Sequence, residues 1–340
     1  MKTHLLKKQI IITLYALSTM FLGAIAAEAA RPITFIDFSW DSVQVHNRIA
    51  GYIIVHGYGK KVDYMFAESL PGLMGIERGD ADISMELWAD NVHEWWEEAQ
   101  KKGNVTSLGM NYPDAPQGWY VPRYMVEGDA ERGIEATAPD LKSVYDLPKY
   151  WELFKDPEEP KKGRLYNGPA GWKVSSINTE KVMAYGLDKN YTAFDPGSQT
   201  SLATAIASAY ERGKPVLAYY WEPTEVMGMY NMVKLEEPPY KKDIWETTRG
   251  CDFPSVKVLV IANTKFAREN PEITKVFKKY TTTLEQNNKT LAYMKTREVD
   301  AEQAAVWFLK NYSEEWKGWI ENEAVITKIE KALEKEVIKD

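Results

Sequence analysis

The sequence predicts an α/β protein built from two similar halves, and three observations carry that prediction. Glu77-Arg-Gly-Asp-Ala-Asp-Ile-Ser-Met-Glu-Leu-Trp88 and Glu211-Arg-Gly-Lys-Pro-Val-Leu-Ala-Tyr-Tyr-Trp221 share one design. Each reads as a helix end, a turn at Gly, a short apolar strand and a closing tryptophan. Each is preceded by another strand running towards a tryptophan, Ile33 to Trp40 in one half and Arg164 to Trp172 in the other, with a helix after it. The spacings also agree: Trp40 and Trp88 are 48 positions apart, Trp172 and Trp221 are 49. Open α/β sheets bind ligands outside the carboxyl ends of their strands. Two lobes facing each other would therefore bring four indoles to one cleft. A tryptophan taken singly is as well explained as core filling. The recurrence of four at strand ends is what argues for a site.

Taken in order, the chain opens on Lys2, Lys7 and Lys8, followed by an apolar run from Ile10 to Ala27. Ala24-Ile-Ala26 and Ala27-Glu-Ala29 are small-x-small cleavage patterns, so residues 1–30 read as a secretory signal peptide. Removing them takes the net charge from −7 to −9. An acidic chain does not suit non-specific nucleic-acid binding. Cys251 is the single cysteine, so the exported chain has no internal disulfide and must rely on its core.

Val43–Tyr58 is expected as a helix ending at the Gly57-Tyr-Gly turn, Val62–Phe66 as a strand, Met74–Arg78 as a helix, and Asp90–Lys102 as an acidic helix holding Trp95 and Trp96. Asn111–Gly118 reads as a loop, and Trp119-Tyr-Val-Pro-Arg-Tyr as a short extended crossing between lobes. Pro122 argues against a central-strand position there. Leu141–Leu147 reads as a short helix within a Pro-rich stretch, and Val256–Ala262 as a buried strand. Asn270-Pro271 marks a helix start whose apolar face is Ile273, Val276, Phe277, Tyr280 and Leu284. Asp300 and Gln303 resemble a capping box before Ala304–Leu309, and Trp319–Val337 reads as one amphipathic helix.

No metal spacing joins His4, His46, His56 and His93, and neither a Walker loop nor a nucleophile elbow occurs. Nothing assigns nucleophile, base or oxyanion roles, so the chain is read as a binder with no catalytic residue, metal or cofactor. A tryptophan-lined cleft suits a quaternary ammonium group. Such a group has no N–H to donate and offers diffuse charge and methyl surface, which indole faces match.

At these residues the chain resembles the glycine betaine and quaternary-amine substrate-binding proteins of ABC importers. The pieces that carry the resemblance are the strand before Trp40, Glu86-Leu-Trp88-Ala-Asp-Asn, Trp119-Tyr-Val-Pro-Arg-Tyr, Gly168-Pro-Ala-Gly-Trp172 and Tyr219-Tyr-Trp221-Glu-Pro-Thr. Together they span the mature chain. The resemblance implies a two-lobed periplasmic-binding-protein fold with a hinge and an inter-lobe cleft. It implies Trp88, Trp172 and Trp221 as cage residues, with the backbone of Lys173 and Val174 facing a ligand carboxylate. Some betaine binders of the family carry a histidine four positions after the first of these cage tryptophans, and here that position is Val92. Glycine betaine, choline, carnitine and trimethylamine N-oxide therefore all stay open as ligands. The extra aromatic and acidic groups Trp40, Trp119, Glu222 and Glu225 leave room for the last three, and Trp40, Trp119 and Glu222 are added as ligand-binding candidates. For Trp119 hinge packing is the alternative, and for Glu222 a solvated loop position.

The resulting expectation is a monomeric, exported solute-binding protein. Residues 31–121 plus 257–340 would form lobe one and 122–256 lobe two. It would deliver an amine osmolyte to a membrane ABC permease. Two other readings are an exported enzyme acting on a methylated amine and a cell-surface interaction protein using exposed aromatics.

Overall fold

The computed structural model describes residues 31–254 and 256–339. The expected signal segment, 1–30, lies outside the described residues. Among the described residues no helix is long and apolar enough to cross a membrane.

Two five-stranded sheets organise the chain. The first contains β1 (Ile33–Asp37), β2 (Val62–Phe66), β3 (Ile83–Trp88), β4 (Val105–Ala115) and β10 (Val256–Asn263), in the order β2-β1-β3-β10-β4. The second contains β5 (Gln117–Pro122), β6 (Gly163–Tyr166), β7 (Tyr191–Phe194), β8 (Ala218–Trp221) and β9 (Met232–Lys234), in the order β7-β6-β8-β5-β9. The orders correspond position by position. In each sheet the first three strands run parallel and the last two pairings are antiparallel. The doubling read from the tryptophans is thus a doubling of topology.

Local chemistry explains the match. β1 is buried along its whole length, as expected for a parallel strand covered on both faces. The helices Ser69–Arg78 and Gln199–Glu211 both end in an Arg-Gly pair, and Gly79 and Gly213 take φ of +82° and +63°. That left-handed turn lets the chain leave a helix and enter the next strand, and glycine takes it without a Cβ penalty. The next strands, β3 and β8, each end on a tryptophan.

The chain passes between the sheets twice. Only Pro116 separates β4 from β5, so the first crossing is almost continuous strand. The return enters β10, whose Val256 is the register partner of Ala115. Residues 117–121, grouped from sequence with the first half, pair in the second sheet. Trp119 and Tyr120 lie opposite Tyr219 and Ala218 of β8.

Four local expectations change. β5 is a central strand, between β8 and β9, although it contains Pro122, which closes the strand opposite Met232 and beyond its last pairing with β8 at Tyr120. Asn111–Gly118 is not a loop, because β4 runs through Pro113 to Ala115. β4 is an edge strand, and its register against β10 shifts between Val256 and Val258, which is where a residue without N–H is tolerated. Leu284 is not part of the preceding helix, which ends at Lys279. It begins a new helix, Leu284–Thr296, capped by a reciprocal Thr283/Gln286 box. The final stretch is two helices, Ser313–Trp319 and Glu323–Leu333, because Asn322 caps the second by accepting from the N–H of Ala324. Elsewhere, Pro271 takes the first helical position as read, and Asp300 accepts from the N–H of Gln303.

The segment returning from β9 is fastened by a buried ion pair. Lys181 Nζ lies 2.7 Å from Glu237 Oε2, with both side chains fully buried. Nζ also donates to the carbonyl of Cys251 and lies 4.4 Å from the ring centre of Phe253. Tyr185 donates to the same Glu237 oxygen at 2.6 Å. Burial pulls the Lys181 pKa down and pushes that of Glu237 up, and each charge opposes the shift of the other. Breaking such a pair from one side costs about 3–5 kcal/mol, since an unpaired charge stays buried. Lys181→Met should therefore lower the unfolding free energy in urea by that amount, and Lys181→Met with Glu237→Gln by clearly less. Equal losses in the two proteins would show that the pair is not what holds this segment.

Candidate functional site

A cavity of about 60 Å³ lies at the carboxyl ends of β1, β3 and β8 and at the start of the helix Lys173–Ala184. One ordered water needs about 10–15 Å³ on the same scale. The space therefore takes a handful of heavy atoms, not a nucleotide or a peptide.

Its walls are aromatic. Trp40, beyond β1, lies flat on Phe38 with ring centres 4.6 Å apart and 12° between planes. Trp172 presents its ring nearly perpendicular to Trp40, at 5.5 Å and 79°, and to Trp221, at 5.0 Å and 77°. Trp221 is backed by Tyr219 at 5.9 Å and 21°. Trp88 lines the cavity from the end of β3. The sequence expectation that Trp40 and Trp172 oppose each other, and that Trp88 and Trp221 occupy equivalent strand ends, matches these positions. Trp40, Trp172 and Trp221 are all buried, and all three line the cavity.

Glu86, which also lines the cavity, was not singled out from sequence as a site residue. It is 0% exposed, and its Oε2 accepts from Nε1 of Trp40 at 2.8 Å and Nε1 of Trp88 at 3.2 Å. One oxygen thus sets the orientation of two cage rings. The other, Oε1, lies 3.8 Å from Nε2 of His46. Burial pushes the His46 pKa down to about 3, so this imidazole is neutral at neutral pH and brings no full charge. No lysine or arginine among the described residues forms an ion pair with Glu86. Burial raises the carboxyl's pKa, while the indole donors oppose the rise. The floor of the cavity is therefore a carboxyl group lacking a protein counter-cation.

The remaining polar groups are few. Asn91 and Ser69 reach the lining, and Val92 lines it with an apolar side chain. Lys173 and Val174 line it at the first positions of a twelve-residue helix. The first backbone N–H groups of a helix have no partner within it and favour negative charge. Trp172 is held for this role by donating from Nε1 to Ser39 Oγ at 2.7 Å.

Two sequence candidates do not line the cavity. Trp119 is fully buried in the second sheet, donates to Asn178 Oδ1 at 2.8 Å and meets the Tyr185 ring edge-on at 5.8 Å. Its surroundings are those of packing beside the crossing. Glu222 is half-buried after β8, and its backbone N–H donates to the Pro116 carbonyl at 2.9 Å. Glu86 and Tyr219 could have been found by strand period alone. Each sits two residues before a cage tryptophan and so on the same face of its strand. Tyr219 is fixed by donating to Gln117 Oε1 at 2.8 Å and by the Phe253 ring at 5.9 Å.

Comparison with known proteins points the same way. Residues 31–311 match the family described as the substrate binding domain of the ABC-type glycine betaine transport system. The glycine betaine-binding periplasmic protein OusX of Dickeya dadantii is 25% identical over 218 residues, which span 61% of this chain and 63% of that protein. The glycine betaine/proline betaine-binding periplasmic protein of Escherichia coli K12 is 24% identical over 268 residues, 75% of this chain and 78% of that one. Among solved structures, an ABC-transporter choline binding protein in complex with choline superposes with a TM-score of 0.71 at 16% identity, covering 89% of this chain and 98% of that one. At that identity the likeness speaks for the fold, which in these proteins is two-lobed.

The role of Glu86 is open to a stability measurement. Glu86→Ala leaves the buried Trp40 N–H without its acceptor, at a cost of about 1–3 kcal/mol. Glu86→Gln keeps an acceptor oxygen and should cost less. Denaturant melts of both variants test this order; equal stability of the alanine variant and the unaltered protein would show that the carboxyl does not hold the rings.

Proposed function

This chain belongs to the substrate-binding family of ABC-type glycine betaine transport systems, and from that premise we propose that it captures a small methylated ammonium compound outside the cytoplasm and hands it to a membrane permease. The observation that carries this reading is the cavity with four indoles around a buried carboxyl that lacks a protein cation. A trimethylammonium group would offer methyl surface to the rings and a positive charge beside the Glu86 carboxyl, favouring its ionised form. Each cation–π contact contributes about 0.5–2 kcal/mol, so four rings supply roughly 2–8 kcal/mol. Micromolar binding requires about 8 kcal/mol, which charge complementarity and apolar burial would complete. An oxygen at the other end of the ligand would meet the helix start at Lys173 and Val174. Glycine betaine, choline, carnitine and trimethylamine N-oxide all have this outline, and Val92 favours none of them.

The two sheets would be the cores of two lobes that close on the ligand. The lobes divide at the two crossings, near Pro116 and Val256, a few residues from the sequence boundaries at 121/122 and 256/257. Residues 1–30 would serve as the export signal.

Titration calorimetry of the four compounds against the purified protein tests the ligand class, with recovery of the bound compound unchanged distinguishing capture from turnover. Replacing Trp88, Trp172 or Trp221 by Ala should weaken binding at least tenfold, since a desolvated cation–π contact is worth about 2 kcal/mol and about 1.4 kcal/mol is a factor of ten. Replacement by Phe should cost less. Loss of stability with unchanged affinity in all three alanine variants would reduce the rings to core filling. Small-angle scattering should give a smaller radius of gyration with ligand than without. Intact mass of the exported protein should place its first residue between Ala27 and Arg31, and recovery of a chain still starting at Met1 in the membrane fraction would overturn the export reading.

A further inference from the structure

Away from the cavity, a second buried acidic group lies where the two halves meet. Asp41 begins the helix that follows Trp40, on the side of the first sheet. Glu225 begins the short helix after β8, on the side of the second. Gln199, at the start of another second-half helix, reaches across: its Oε1 accepts from the Asp41 backbone N–H at 2.9 Å, and its Nε2 donates to Asp41 Oδ2 at 3.1 Å. Beside it, the Thr224 backbone N–H donates to Asn288 Oδ1 at 3.0 Å, tying the Glu225 turn to the helix Leu284–Thr296. Glu225 is 6% exposed, and its Oε2 is buried without a hydrogen-bond partner. The hydroxyl of Tyr220, also buried, has none either.

A buried carboxylate oxygen without a donor is costly, and a carboxylic acid in the same place is much less so. We propose that Asp41 and Glu225 are brought together by lobe closure and that the pair takes up a proton as the lobes close, so that ligand capture is proton-linked. The proposal rests on the reading of this chain as a lobe-closing binder.

The charges around the pair agree in sign. Burial, then the Asp41 charge, push the Glu225 pKa from 4.5 up to about 7. Asp41 is itself raised by burial. Lys295, on the helix Leu284–Thr296, opposes both shifts. On that helix Glu285 and Lys289 pair with each other at 2.6 Å on the exposed side. On the helix Gln199–Glu211, Glu211 accepts from the hydroxyl of Tyr230, which follows the Glu225 helix. No cation among these groups makes an ion pair with Glu225. Opening parts Glu225 from Asp41 and lets water reach it, returning it towards an ordinary carboxylate.

The closed state binds the proton more tightly than the open state, so closure is favoured as pH falls from about 7 towards 4.5 and loses that advantage as pH rises through 7. With those two values, affinity should be about tenfold greater at pH 6 than at pH 8, with about 0.9 proton taken up per ligand bound at pH 6.

Choline and glycine betaine, whose charges do not change over this range, are the probes. Calorimetry at pH 6, 7 and 8 in buffers of differing ionisation enthalpy reads affinity and proton uptake together. The expected result is the tenfold change in the unaltered protein, a flat profile with tighter binding at pH 8 in Glu225→Gln, and a midpoint below pH 7 in Asp41→Asn. A flat profile in the unaltered protein overturns the proposal and leaves the binding function standing. A slope that persists in Glu225→Gln also overturns it and assigns the proton to another group. If no variant binds either probe at any pH, the reading as a binder fails and the proposal fails with it.

Discussion

The site depends on one buried carboxylate oxygen. Glu86 Oε2 accepts from two indoles that come from different elements, Trp40 beyond β1 and Trp88 at the end of β3. An indole has a single donor, and satisfying it fixes the ring's tilt about the bond to the main chain. The faces left for a ligand follow from where the N–H groups point. Burial raises the pKa of this carboxyl while the indole donors oppose the rise, and its neighbour His46, beside the other oxygen, is kept neutral by burial. Geometry and electrostatics of the first half of the cage thus come from one residue that touches both rings.

The second half is built by a run of ring-to-ring contacts rather than by a shared acceptor. Trp221 rests on Tyr219, Tyr219 on Phe253, and Phe253 on Trp245 with the Lys181 ammonium beside it. Each ring is held by the next, and the run ends at a buried ion pair. Trp172 joins the two constructions: it touches Trp40 and Trp221 edge-on and gives its hydrogen to Ser39.

Much of this was legible in the sequence because it is local. The Arg-Gly turns, the tryptophans that close β3 and β8, Pro271 at a helix start and the Asp300 cap all depend on a few adjacent residues, whereas Trp40 and Trp172, read as strand ends, stand beyond β1 and β6 at the starts of helices. The family resemblance read from five short motifs agrees with the match over residues 31–311. What escaped depends on distant partners. Pro113 and Pro116 signal a loop, yet pairing with β10 carries β4 through the first of them. Trp119 has the composition of a cage residue, but Asn178, 59 positions away, captures its N–H inside the second sheet. Glu86 was legible only in part: its place two residues before Trp88 puts it on the same strand face, but its bond to Trp40, 46 positions upstream, is not local.

The two passages of chain between the sheets lie side by side, with Ala115 in register with Val256 and the Pro116 carbonyl accepting from Glu222 N–H. A single connecting strand would let one sheet swivel about it in any direction. Two strands fastened together bend easily about the axis that crosses both, and resist twisting or sliding against each other. Relative motion of the halves is thereby reduced to nearly one coordinate, a swing. If the halves close as proposed, each closure would retrace the same arc, and rings carried on opposite halves would meet at the same angles each time. The search for a productive arrangement would then be done by the backbone before the ligand arrives.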